Sequence, residues 1–142
     1  SSALFTTSQE SLGNAQVAKY ASMIDQMGVK PGDHVLEIGC GWGGFAEYAA
    51  KERGLKVTGL TISKEQLDFA TKRISNNGLG DKVNLKLQDY RDETGVYDGV
   101  ASIEMFEAVG EKYWPIYFNK VKQWLKPGKH RDRPHMFSKK CT

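Results

Sequence analysis

The stretch Val35-Leu36-Glu37-Ile38-Gly39-Cys40-Gly41-Trp42-Gly43-Gly44 restricts the possible folds of this chain more than any other. It reads as a short apolar strand, then a glycine-rich turn, then a helix opening at about Gly43 that carries Phe45, Tyr48 and Ala49. Glycine tolerates positive φ and, with no Cβ, lets a ligand come close to the backbone. The helix behind such a turn presents unpaired N–H groups and the positive end of its dipole. Gly39, Gly41 and Gly44 satisfy the spacing G-x-G-x-x-G in its strand-to-helix setting. The spacing points to a nucleotide-like cofactor without choosing one; the bland alternative is a tight turn ahead of a core helix.

The rest of the chain repeats the same alternation. A helix is expected from about Ser8 to Met27, with Leu12, Val17, Tyr20, Ile24 and Met27 as a packing stripe and Gly28 as its stop, after an extended lead-in over residues 1–7. Lys30-Pro31-Gly32-Asp33 is a turn. Strands are expected at His34–Ile38, Lys56–Thr61, Val83–Leu87 and Tyr97–Ile103. Ser63 caps a helix that the Asn76-Asn77-Gly78 turn ends, and a last amphipathic helix runs from about Tyr113 to Leu125 before Pro127-Gly128. Strands alternating with helices at this spacing form βαβ units and a mostly parallel sheet.

Charge narrows the partners. The formal net charge is +3, but residues 129–142 hold five basic residues and one acidic residue, leaving 15 basic and 16 acidic residues in the body. No basic face asks for nucleic acid. No run approaches the ~18 apolar residues of a membrane span, and no secretory signal is recognised at the start. Cys40 and Cys141 make no disulfide framework, so a reducing cytoplasm is the expected setting. A peripheral membrane contact is compatible with all of this, and no metal is expected.

Two cofactor classes compete for the glycine turn. Nicotinamide or flavin enzymes and S-adenosylmethionine enzymes both follow it with a second strand that commonly ends in an acid gripping a ribose. Here that place is Gly59-Leu60-Thr61-Ile62-Ser63, which has no carboxylate and weakens the nicotinamide reading. Glu37, two residues before the first glycine, gives the Glu-x-Gly-x-Gly form that methyltransferases favour.

At this point the chain resembles the cyclopropane-fatty-acyl-phospholipid synthases, a branch of the class I S-adenosylmethionine-dependent methyltransferases. The resemblance rests on Val35 to Gly44 (VLEIGCGWGG), Val57 to Gln66 (VTGLTISKEQ), Gln88 to Asp92 (QDYRD) and Ser102 to Gly110 (SIEMFEAVG). Ser1-Ser2-Ala3-Leu4-Phe5 is a fifth, weaker match to the family's entry loop. The resemblance implies a Rossmann-like α/β methyltransferase sheet with strand order 3-2-1-4 and helices on both faces. It also implies that the sheet is incomplete, because nothing like a fifth strand follows Pro127-Gly128. The implied divisions are an N-terminal lead-in and helix over 1–28, an S-adenosylmethionine-binding domain over 29–128, and a non-native or disordered tail over 129–142. His130 and His135 have no strand context in that tail.

The resemblance also implies roles. Glu37, Gly39, Gly41 and Trp42 would hold the methionine part of the cofactor. Thr61 and Gln66 would grip the ribose through neutral hydrogen bonds, although a polar helix residue such as Gln66 is ordinarily just solvated. Gln88 and Asp89 would flank the adenine, with turn formation as the plain alternative for Asp89. The family moves a methyl group onto the double bond of a phospholipid acyl chain, and a bicarbonate ion takes the proton as the ring closes. Glu107 would help hold that bicarbonate, and Ser2 would stand at the small-residue place that also touches it. Phe106 and Trp114 fit core packing better than aromatic walls. Cys40 has no partner histidine in sequence to activate it. Ala108 departs from members that carry histidine at that place. Strand four would be a raw sheet edge, so self-association through it or through a swapped N-terminal helix is expected. The other functions open to the chain are a methyltransferase acting on another acceptor, such as an amine, or a non-catalytic or nicotinamide-binding module.

Overall fold

The computed structural model describes residues 6–102 and 114–126, with side chains from residue 13 and, in the last helix, from residue 119. Ser2, Phe106, Glu107, Ala108, and the tail from residue 127 lie outside the described residues, and so does the side chain of Trp114.

Among the described residues the elements are α1 (Thr6–Met27), β1 (His34–Ile38), α2 (Gly44–Arg53), β2 (Lys56–Thr61), α3 (Lys64–Asn76), β3 (Val83–Leu87), a 3-10 turn (Tyr90–Asp92), β4 (Gly99–Ser102) and α4 (Trp114–Trp124). The sheet is parallel in the order β3-β2-β1-β4, as expected. β1 is the central strand, with Glu37 level with Gly59 on one side and Ala101 on the other. Its residues Val35 to Ile38 are all buried, as a strand covered on both faces must be.

The two faces follow from the two-residue period of a strand. Val35, Val57 and Ala101 turn toward α1, α2 and α3, where they pack with Ile24, Phe45 and Ile74. Leu36, Ile38, Leu60 and Val100 turn to the opposite face, against Val121 and Trp124 of α4. Helices therefore cover both faces. Trp124 also donates its indole N–H to the Glu93 carbonyl at 2.9 Å, which ties α4 to the connection between β3 and β4.

Local chemistry sets the boundaries. Ser63 caps α3 by accepting the Gln66 N–H at 3.2 Å. Gly54, at φ 65°, ends α2 in a left-handed cap. Two expectations are corrected. The fourth strand is shorter than Tyr97–Ile103: Tyr97 forms an isolated parallel bridge with Leu125, the ladder runs only over Gly99–Ser102, and Ile103 lies outside the described residues. Helix α1 starts at Thr6, within the stretch expected to be extended. Its stripe is also not uniform, because Val17 is 46% exposed while Met23 joins Ile24 and Met27 in the core.

Candidate functional site

Parallel sheets place ligands beyond the carboxyl ends of their strands, at the point where strand order reverses. Here that point lies between β1 and β4. Two adjoining recesses open at the carboxyl ends of β1, β2 and β3 and share Gly39. One, of about 190 Å³, is lined by Glu37, Gly39, Gly41 and Trp42, together with Tyr20 and Arg73. The other, of about 220 Å³, is lined by Thr61, Gln66, Gln88 and Asp89, together with Ile62 and Tyr90. Together they reach the lower end of the range for small-molecule sites, roughly 300–1,000 Å³. All eight residues expected around a cofactor thus come together at the ends of β1, β2 and β3.

The glycine turn is wound as the spacing requires, with Gly39 at φ 72° and Gly41 at φ 53°. Those left-handed values would strain any side-chain-bearing residue. The Cys40 N–H donates to the Leu60 carbonyl at 2.8 Å, which seats the turn on the end of β2. That seating depends on Gly59, where a Cβ would meet the Cys40 Cβ at 2.9 Å and Leu85 Cδ2 at 2.7 Å. At the far end of the turn, a Cβ on Gly44 would meet the Tyr20 hydroxyl at 2.9 Å, so the third glycine makes room for α1. Tyr20 in turn meets Phe45 edge-on, with ring centroids 5.6 Å apart.

Glu37 is 1% exposed. Burial pushes the Cys40 thiol up to about 12, and the Glu37 charge adds to the shift. The thiol is therefore protonated at neutral pH and carries no nucleophilic character. Trp42, 47% exposed, meets Phe69 of α3 edge-on at 5.2 Å. On the second recess, buried Thr61 donates its hydroxyl to Gln66 Oε1 at 3.3 Å and accepts the Ser63 N–H at 3.1 Å. The pair is neutral, as the absent carboxylate at the end of β2 requires. Gln88 continues the parallel pairing past β3, its N–H donating to the Thr61 carbonyl at 2.9 Å. Asp89 lines the recess and is also a turn former. It accepts the Arg91 N–H at 2.8 Å, and its two oxygens take the Arg91 guanidinium at 3.0 and 2.8 Å. Hydrogen bonds from Arg91 hold its carboxyl below the usual range.

Sequence reading places Tyr20 only in the packing stripe of the first helix and Gly59 only in the second strand, and does not single out Arg73 or Glu93. Arg73 of α3 grips Glu47 of α2 at 2.9 Å and reaches the Trp42 carbonyl at 3.5 Å, bracing the turn from behind. Its partner lies 26 residues away, and no local pattern marks such a pair. Gly59 did carry a signal, since an isolated glycine inside a strand marks close approach of another backbone.

The sequence profile of the mycolic acid cyclopropane synthetase family matches residues 1–130. A probable fatty acid methyltransferase of Mycobacterium tuberculosis is 41% identical over 128 residues, which is 89% of this chain and 30% of the relative. The cyclopropane-fatty-acyl-phospholipid synthase of Escherichia coli is 43% identical over 118 residues, covering 83% of this chain and 30% of the relative. The chain therefore spans about a third of the length of these relatives. Among solved structures, the mycolic acid cyclopropane synthase CmaA1 complexed with SAH and CTAB superposes with a TM-score of 0.77 at 28% identity, over 82% of this chain and 41% of that one.

Proposed function

The chain belongs to the mycolic acid cyclopropane synthetase family, and we propose that it forms the cofactor-binding part of an S-adenosylmethionine-dependent enzyme that adds a methylene group across the double bond of an unsaturated phospholipid acyl chain. One observation carries the reading. The glycine turn, the buried acid Glu37 and the neutral Thr61–Gln66 pair converge on two recesses that meet at Gly39. The charge of that donor set suits a sulfonium nucleoside better than a pyrophosphate, because the wall that would meet phosphate carries a buried carboxylate.

When bound, S-adenosylmethionine supplies an electrophilic methyl group on a positively charged sulfur. Glu37 offers a negative charge to the cofactor's ammonium group, and the turn's backbone accepts its close approach. Thr61 and Gln66 bind ribose hydroxyls by neutral hydrogen bonds. Gln88 and Asp89 stand at the adenine, while the buried Ile38 and Leu60 and the exposed Ile62 give that recess an apolar wall. Within this proposal Glu107 and Ser2 hold a bicarbonate base; both lie outside the described residues. The acyl substrate brings the enzyme to the membrane surface. Among the described residues, β4 is paired on one side with β1 and carries only the Tyr97–Leu125 bridge near its other side, which supports self-association through that edge.

A methyl transfer without ring closure is the second reading, favoured by the name of the Mycobacterium tuberculosis relative. Both products gain the mass of one methylene, but the branched product keeps a double bond and the cyclopropane does not. Mass spectrometry of phospholipids from cells expressing the intact parent gene, before and after ozonolysis, separates them. An ozone-resistant gain that disappears in Glu107→Gln is expected. An ozone-sensitive gain would favour the second reading, and no gain would overturn both.

A further inference from the structure

Glu93, in the connection between β3 and β4, is 5% exposed, and donors surround its carboxylate. Oε2 accepts the Tyr97 hydroxyl at 2.6 Å and the Gly95 N–H at 3.0 Å. Oε1 accepts Gln88 Nε2 at 2.8 Å and Lys86 Nζ at 3.5 Å. Burial alone would push this carboxyl up. The hydrogen bonds from Tyr97, Gly95 and Gln88, with the Lys86 charge, outweigh it and hold the group below its ordinary value. It is therefore an anion at neutral pH, and an anionic carboxylate only accepts hydrogen bonds.

That restriction passes to Gln88. Its side chain must present nitrogen to Glu93, which leaves the amide oxygen as the terminus available to the recess that Gln88 lines with Thr61, Gln66 and Asp89. We propose that Glu93 is a positioning residue: by fixing the Gln88 amide, it sets an acceptor at the purine end of the site and so selects a 6-amino purine over a 6-oxo purine. The proposal rests on the reading of this recess as a nucleoside site and adds what determines its base preference. Asp89 is not equivalent, because its oxygens are engaged by Arg91.

Glu93→Gln tests this without changing side-chain size. The new oxygen serves the Gly95 N–H, which can only donate, together with the Tyr97 hydroxyl; the new amide nitrogen then faces Gln88, and the Lys86 ammonium, on a side chain 37% exposed, turns to solvent. The Gln88 amide must turn over to accept from it, which presents N–H to the recess. Calorimetric titration with S-adenosylhomocysteine and S-inosylhomocysteine reads the consequence. The wild-type chain is expected to prefer the adenosyl compound by roughly 10- to 100-fold, the range for one satisfied against one mismatched buried hydrogen bond. In Glu93→Gln that ratio falls at least about tenfold or inverts. A purely structural role would weaken both ligands together and leave the ratio unchanged, which would overturn the proposal alone. Failure of the wild-type chain to bind S-adenosylhomocysteine would overturn the nucleoside reading and this proposal with it. Should Glu93→Gln not fold, side-chain amide NMR of the wild type decides. One Gln88 Nε2 proton protected from solvent exchange is expected, and two freely exchanging protons would overturn the proposal.

Discussion

Gly59→Ala is the most informative single change in the sheet. The residue lies in β2, level with Glu37 of β1 and Leu85 of β3. An added Cβ would stand 2.7 Å from Leu85 Cδ2 and 2.9 Å from the Cys40 Cβ, short of the 3.4 Å at which ordinary contact begins by 0.7 and 0.5 Å. The Leu85 methyl is the far end of a side chain and can swing aside. The Cys40 Cβ cannot, because it rides on the glycine turn and its N–H is held by Leu60. Overpacking of this kind costs about 1–3 kcal/mol, offset by about 0.5–1 kcal/mol from replacing a glycine inside a strand. At about 2–4 °C per kcal/mol for a domain near this size, Tm should fall by several degrees. The larger effect falls on binding. A turn displaced by about half an ångström, a distance that already degrades a preorganised site, should lose about tenfold in affinity for S-adenosylhomocysteine, or ~1.4 kcal/mol. Thermal melts and calorimetry are run beside Val83→Ala, a change in the buried start of β3 away from the turn. Val83→Ala should lose stability and keep its affinity. If Gly59→Ala melted and bound like the wild type, the close seating of the turn on β2 would be wrong.

Phe45→Ala removes a side chain 1% exposed between Tyr20 and the sheet, and should cost about 3–5 kcal/mol by chemical denaturation. Arg73→Met breaks the partly exposed pair with Glu47; it should cost no more than about 1 kcal/mol, and added salt should shrink the difference. Cys40 should resist iodoacetamide at pH 8 in the native chain and react only on unfolding. Its raised thiol pKa means that the folded state holds the proton more tightly than the unfolded state. Stability from this group is therefore full below the ordinary thiol pKa and is lost as pH rises from about 9 to about 12, which alkaline denaturation curves of wild type and Cys40→Ser will show. Light scattering should detect concentration-dependent self-association, and a monodisperse monomer at high concentration would remove β4 as a pairing edge.

How legible the molecule was in its sequence depended on the range of the interactions involved. The first three strands, the Ser63 cap and the glycine turn follow from neighbours a few residues apart, and the structure places them where periodicity and capping chemistry put them. The Asp89–Arg91 turn was likewise readable as local chemistry. The fourth strand was overextended because Tyr97 looks like a strand residue, yet it is drawn toward Leu125 and Glu93. Val17 fits a helical stripe and is still exposed, since no period says where the facing helix ends. Glu93 was passed over for a similar reason. A lone acid in a loop reads as solvated, and only the fold brings Tyr97, Gln88 and Lys86 around it.

In the proposed site, the turn over residues 39–44 and the neutral groups beyond β2 cradle a sulfonium nucleoside. Calorimetry of the chain with S-adenosylhomocysteine and with NAD, paired with a Gln66→Leu variant, tests it most directly. Saturable binding of S-adenosylhomocysteine that weakens in Gln66→Leu, with no NAD binding, is the predicted result. Binding of NAD in preference to S-adenosylhomocysteine, or of neither, would contradict it.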